Sequence, residues 1–358
     1  MIRHLPPSLR NHQNAAFTKR KWADTSPREC DRVVLQTIIH ASGPARCERR
    51  TYVLPKMNPN LVKLLSFVLL LMLLAACGPK EEVVPSKGIL YTVAGGDTTV
   101  YLFGSIHIGH SSMYPLCERV QQALEEADVI ALEIDISAML EEEIAQEVMA
   151  YAMYTDGALM TDVISQDLFD QLAEIVADIG LPRYLLNHFR PWYAALLLNE
   201  LVLQNTRYSP ALGVESYLLD NYGHKETISL ETFSDQLAPY ALLSDESQEV
   251  YLRRMLEDMD EAEQDLDEMV EYWRDGNVEA FSELRSHIFS EAETASLKRF
   301  HQATLDERDR AMAKTIAGIL ASGDERTYFI TVGTLHLVGA NSIVAQLTAK
   351  GYDVQLMQ

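Results

Sequence analysis

Cysteine, basic charge and long apolar runs are all scarce in this chain. Of its four cysteines in 358 residues, Cys30, Cys47, Cys77 and Cys117, only Cys117 lies beyond residue 77. The bulk of the chain can therefore close no internal disulfide and depends on a hydrophobic core, which about 270 residues can supply. Lys and Arg number 30 against 52 Asp and Glu, a net charge of −22. That balance offers no basic footprint for nucleic acid. Gly-x-Ser-x-Gly, a Walker loop, His-Glu-x-x-His and Gly-x-Gly-x-x-Gly are also missing, which removes the local signatures of serine hydrolases, P-loop enzymes, zincins and dinucleotide binders.

One long apolar run is present, Leu64 to Leu74, preceded by Lys63 and followed by Ala75-Ala76-Cys77-Gly78. Positive flank, apolar stretch and small-residue cleavage site are the parts of a signal peptide, and the run is too short to span a bilayer comfortably. The expected organisation is an upstream extension over 1–56, a lipoprotein signal peptide over 57–76, a lipidated Cys77 with a polar tether over 77–88, and a folded domain over 89–358. Residues 1–76 hold 12 Lys and Arg and 4 Asp and Glu, so the remainder sets 18 basic against 48 acidic residues. Lipid on Cys77 implies the cell envelope. Gly78 rather than Asp after the cysteine favours the outer membrane, facing the periplasm, in a Gram-negative cell.

Ile89–Val93 and Thr99–Phe103 flank Ala-Gly-Gly-Asp and predict a hairpin. Helical spacing of Val120, Leu124 and Ala127 followed by the apolar run Val129–Leu132 predicts a β-α-β unit. The middle, from about Met139 to Ser296, reads as helical, with an acidic amphipathic stretch over Glu249–Trp273 and a strand at Thr227–Leu230. The end predicts a helix over Leu305–Leu320, a strand Thr327–Val332, a helix over Ser342–Lys350 and a last strand Asp353–Met357. The fold class expected is α/β, its mixed sheet built from N- and C-terminal β-α-β segments with a large helical insertion.

Two segments match each other: Phe103-Gly104-Ser105-Ile106-His107 and Val332-Gly333-Thr334-Leu335-His336. Each is strand, glycine, hydroxyl residue, apolar residue, histidine, so both imidazoles project from strand carboxyl ends, where open α/β sheets place their crevice. Two histidines in one cleft suggest a metal. Imidazole alone suits zinc, iron or copper, whereas added carboxylates favour manganese or a mixed site. Glu133 and Glu231 each end an apolar strand and need a partner there. Glu215 is a further carboxylate candidate, and His110 a further ligand or substrate contact. Arg308 could balance the carboxylates, clamp an anionic substrate, or simply pair on a helix surface. Cys117, at a helix start, would need a neighbouring base to act as a nucleophile.

Tyr101–His110, Leu132-Glu133, Leu230-Glu231-Thr232 with Gln236, Glu307–Met312 and Val332–Gly339 together resemble the TraB/PrgY/GumN family, the group that includes the Tiki proteases. The resemblance implies a fold similar to erythromycin esterase and ChaN-like proteins. It also implies a metal-dependent peptidase using the two Gly-x-x-His histidines and a glutamate, here His107, His336 and Glu133. Two departures stand out: Gly213-Val214-Glu215 where relatives often have aspartate last, and Arg308-Asp309-Arg310 where they have Arg-Asn-Arg.

The function expected is a membrane-anchored hydrolase using Mn, Co or Zn. It would act on envelope peptides or small proteins, with Glu231 as proton carrier and Arg308 beside it. The alternative is a surface protein that captures a peptide or haem-type ligand without turning it over.

Overall fold

A computed structural model describes residues 84–135 and 139–357. The apolar run Leu64–Leu74 and Cys77, and with them the expected leader, the anchor and most of the tether, lie outside the described residues. No helix among the described residues is long and apolar enough to cross a membrane.

Strands β1 (Ile89–Gly95) and β2 (Thr98–Ser105) form the expected hairpin, with Val93 opposite Val100. Gly96 turns it with a positive φ of 74°, a conformation that glycine adopts without strain. Helix α1 (Glu118–Glu126) buries Val120, Ala123 and Leu124 and leads to β3 (Val129–Leu132), which is buried along its whole length. An unbroken apolar run suits a strand covered on both faces.

The strand beside β2 is not β3. It is β5 (Thr327–Gly333), which arrives from the far end of the chain and pairs in parallel with both. The β-α-β unit is thus a crossover that leaves one place open. The sheet order is β4-β3-β5-β2-β1-β6, with β4 (Glu226–Ser229) parallel to β3, and β6 (Asp353–Met357) antiparallel to β1. Phe329, Ile330 and Val332 of β5 are wholly buried, as befits the strand flanked on both edges in the middle of the parallel set. The last strand spans the residues expected.

Most of the intervening chain is helical: α2 (Glu141–Ala152), α3 (Gln166–Ala177), α4 (Pro191–Gln204), α5 (Val214–Tyr222), α6 (Asp245–Asp258), α7 (Ala262–Asp275), α8 (Val278–Ser290) and α9 (Ala295–His301). The acidic amphipathic stretch Glu249–Trp273 is helical as expected and is broken by a 3-10 turn at Met259–Glu261. The break lets its halves serve two cores. Leu252, Met255 and Met259 pack with Phe169, Leu172 and Leu198 in the insertion, whereas Val270 and Trp273 join the sheet's core. Trp273 also donates its indole N–H to the Gly104 carbonyl at 2.7 Å.

Helix α10 (Arg308–Ser322) is entered through a π-turn at Gln302–Glu307, and the last helix, α11 (Ile343–Ala349), precedes β6. Ser86 and Lys87, assigned to the tether by composition, are docked. Ser86 is buried and bridges Leu116, and the Lys87 N–H donates to the Arg274 carbonyl at 2.8 Å. Backbone pairing, which composition does not register, brings the polar segment into the fold. Because β2, β3, β4 and β5 are all parallel, the residues just after each of them meet at one edge of the sheet.

Candidate active site

The paired motifs lie side by side, with Gly104 opposite Val332 and Ser105 opposite Gly333. Thr334 donates its hydroxyl to the Ser105 carbonyl at 2.9 Å. A Cβ on Gly104 would come within 2.8 Å of that hydroxyl oxygen, so the glycine of one motif makes room for the hydroxyl of the other.

His107 follows β2, and its Nδ1 lies 2.9 Å from Glu215 Oε1 in the first turn of α5. Its side chain is 66 % exposed, yet protein surrounds it on most sides, as happens to a group lining a cleft. Burial opposes its protonation, but the hydrogen bond and charge of Glu215, helped by Glu133, raise the imidazole to about 9. Glu215 is held below the usual carboxylate range: burial pushes it up, and His107 more than offsets that.

His336 follows β5 and is 6 % exposed, with Nδ1 2.6 Å from Oδ1 of the fully buried Asp309 on α10. An ionised carboxylate can only accept, so against Asp309 it is Nδ1 that carries the proton. Nε2 of the same ring stands 3.6 Å from Glu133 Oε1. Glu133 accepts from the Gly333 N–H at 2.6 Å and from Arg308 Nη2 at 2.7 Å. Burial raises its pKa, but His336, Arg308, His107 and the Gly333 amide outweigh that and hold it at about 2. These groups converge beside Gly333. A Cβ on Gly333 would stand 3.3 Å from Glu133 Oε1, 3.5 Å from His336 Cδ2 and 3.7 Å from His107 Nε2.

Behind Glu133 lies a buried polar layer. Arg308 donates to both oxygens of Glu231, and the Gln236 amide donates to Glu231 at 3.0 Å and to Glu133 at 3.4 Å. Arg308 Nη1 turns to the Thr304 carbonyl. The guanidinium thus balances carboxylates, the first of the roles open to it, and has little left for a substrate. A cleft of about 320 Å³ adjoins this layer, walled by Ile134, Met139, Glu147, Glu231 and Phe233. A larger, shallow depression near Asp170 and Arg183 lies on the insertion, with no histidine lining it.

The sequence-derived set His107, Glu133, Glu231, Arg308, His336 and Glu215 is therefore brought together. His110 is not joined to it by any contact described: its Nδ1 accepts from the Ser112 N–H at 3.2 Å and caps a 3-10 turn, while its ring meets Tyr208. Cys117 is the N-cap residue of α1, with its sulfur 3.6 Å from the Lys87 carbonyl. Sequence reasoning misses Asp309 as a site residue, although it follows Arg308 directly. Arg285, which contacts Asp309, carries no sequence signal at all.

Two imidazole Nε2 atoms and the Glu133 carboxylate are a donor set that suits a divalent cation, and carboxylates on both Nδ1 atoms are the usual outer support of such ligands. As placed, no group of three His, Cys, Asp or Glu side chains among the described residues closes round an ion. Both Glu133 oxygens are engaged by Gly333 and Arg308, so the carboxylate would have to share one of them.

The chain is similar to the "Uncharacterized protein YbaP" of Escherichia coli strain K12, 25 % identical over 254 residues, covering 70 % of this chain and 89 % of YbaP. It is also similar to a "Metalloprotease TIKI homolog" of Amphimedon queenslandica, 21 % identical over 305 residues. "Metalloprotease TIKI1" of Danio rerio is 19 % identical over the same length. These two matches cover 71 % and 72 % of this chain but only 59 % and 61 % of the longer relatives. No solved structure matches. Residues 89–356, which take in the whole sheet but for the last residue of β6 and include His107, Glu133, Glu215, Glu231, Arg308 and His336, match the TraB/PrgY/gumN family, and the chain belongs to it.

Proposed function

We propose that this protein is a metal-dependent hydrolase of peptides, anchored through Cys77 to the cell envelope. The observation that carries the reading is the pair of imidazoles, each pinned at Nδ1 by a carboxylate and converging beside Gly333. His107, His336 and Glu133 would hold the cation. Bound there, a divalent cation supplies Lewis acidity, polarising a carbonyl and easing the ionisation of water. Glu215 and Asp309 fix the rings. Glu133 is the carboxylate that lies beside both histidines, and Arg308 orients it. Glu231, the expected proton carrier, has both oxygens turned to Arg308, so we assign it to supporting Glu133. Preference for peptides over esters rests on the TIKI metalloproteases among the relatives.

The test uses the full chain with Mn²⁺, Co²⁺ or Zn²⁺ on a mixed peptide library, beside His107→Ala and His336→Ala. Metal-dependent cleavage lost in both variants supports the reading. Absence of cleavage with every metal, together with peptide or haem binding that survives both substitutions, sinks it in favour of a non-catalytic receptor. That second reading has its own support in the engagement of both Glu133 oxygens. The anchor is tested separately: Cys77→Ser should abolish palmitate incorporation and release the chain from membranes, and membrane retention without label would refute it.

A further inference from the structure

His336 sits on a short loop, Thr334 to Gly339, between β5 and α11, and such a loop has few contacts of its own to hold an imidazole in one pose. A guanidinium from the helical insertion fills its centre. Arg285 of α8 is 4 % exposed. Its Nη1 donates to the carbonyls of Leu335 at 2.7 Å and Val338 at 3.1 Å, so the loop is wrapped around it on both sides of His336. The same nitrogen lies 2.7 Å from Asp309 Oδ2, a charge contact, since its two hydrogens already serve the carbonyls. Nη2 donates to Asp306 Oδ1 at 2.6 Å, and Asp306 in turn accepts from the Asn341 side chain. Gly339, at a φ of +89°, packs against the shaft: a Cβ there would stand 3.1 Å from Arg285 Cδ. One buried cation therefore joins the residues flanking His336 and the carboxylate that holds its Nδ1.

We propose that Arg285 is the positioning residue for His336. It shapes the Leu335–Gly339 loop and orients Asp309, so that the Nδ1–H is locked and Nε2 faces Glu133. Lysine could keep the charge but not the fork that reaches two carbonyls and two carboxylates at once. This role adds to the proposed metal-dependent function but can be read without metal or substrate.

The experiment is ¹⁵N NMR of histidine side chains in the metal-free full chain, with the His336 signals assigned by His336→Gln. The parent should show a hydrogen-bonded, slowly exchanging His336 Nδ1–H. In Arg285→Lys this proton should broaden or vanish while the other histidine signals stay in place, and Zn²⁺ affinity by calorimetry should fall at least about tenfold. Asp309→Asn should do the same, with the double variant little worse than either. If Arg285→Lys does not fold, Asp306→Asn loosens one arm of the fork and should weaken the same proton selectively. A His336 Nδ1–H unchanged in a folded variant overturns the proposal. If the parent binds no Zn²⁺, the metal reading fails, while the NMR comparison still decides the role of Arg285.

Discussion

At the scale of single residues, the site is a set of charges that survive burial only because each is answered. Glu133 and Glu231 are both nearly inaccessible and share one guanidinium. Removing one member of such a group leaves the others uncompensated, at a cost of about 3–5 kcal/mol. Arg308→Met should therefore lower stability in urea unfolding by that amount, and adding Glu231→Gln should recover part of it. A single variant as stable as the parent would show that the carboxylates find other partners. Glu215 makes a different case, since it is partly open to solvent and its main contact is His107. Glu215→Gln should leave the fold intact and reduce divalent-metal affinity by roughly 10–100-fold in calorimetric titration. Glu215 and Asp309, the two positions expected to depart from the family pattern, each hold a histidine. A carboxylate is what an Nδ1–H needs.

At the scale of elements, the cleft depends on backbones that approach closely where strands end. The Val214 N–H donates to the Ile106 carbonyl and Gly109 exchanges two hydrogen bonds with Ser209, which lays the His107 loop against the start of α5. A Cβ on Gly213 would stand 2.3 Å from the His107 carbonyl oxygen. Gly213→Ala must separate the two segments, and a loss of about 1–3 kcal/mol is expected from overpacking, with metal binding reduced as Glu215 moves away from His107. Gly333→Ala is the contrasting case. Its φ and ψ of −50° and 136° suit any residue, but the new Cβ would stand 3.3 Å from Glu133 Oε1, so that carboxylate must give way and a small loss of thermal stability is expected. The new methyl group would stand among Glu133, His107 and His336, and metal affinity should fall. Unchanged affinity in a folded Gly333→Ala protein would place the ion elsewhere.

At the scale of the whole molecule, a half-buried histidine of the helical insertion gives stability a pH dependence. His301, at the end of α9, lies against the rings of Phe300 and Phe289. Burial, with Arg254 adding repulsion, depresses it from 6.5 to about 4. In the window between those values the unfolded chain binds a proton that the folded chain does not, so stability falls as pH is lowered from about 6.5 to 4. His301→Phe should flatten that part of the stability profile relative to the parent. An identical slope in both proteins would show that carboxylates elsewhere account for all of it.

Much of the architecture was legible because it is written locally. Apolar runs ending in glycine, such as Thr327–Gly333, or in a lone acid, such as Val129–Leu132 before Glu133, specify buried strands, and a histidine after such an ending must stand at the sheet's carboxyl edge. The sequence by itself therefore determined the α/β class, the hairpin, the terminal strands and the residues gathered in the cleft. It could not determine that β5 would lie between β2 and β3, because strand order depends on which edges remain to be covered once the whole chain collapses. Nor could it single out Arg285 among the arginines of acidic amphipathic helices, or show Arg308 facing two glutamates and Asp309 facing His336. Those assignments were decided by the tertiary structure alone, since a buried charge is answered by groups brought close in space, and these lie from 21 to 175 positions apart in the chain.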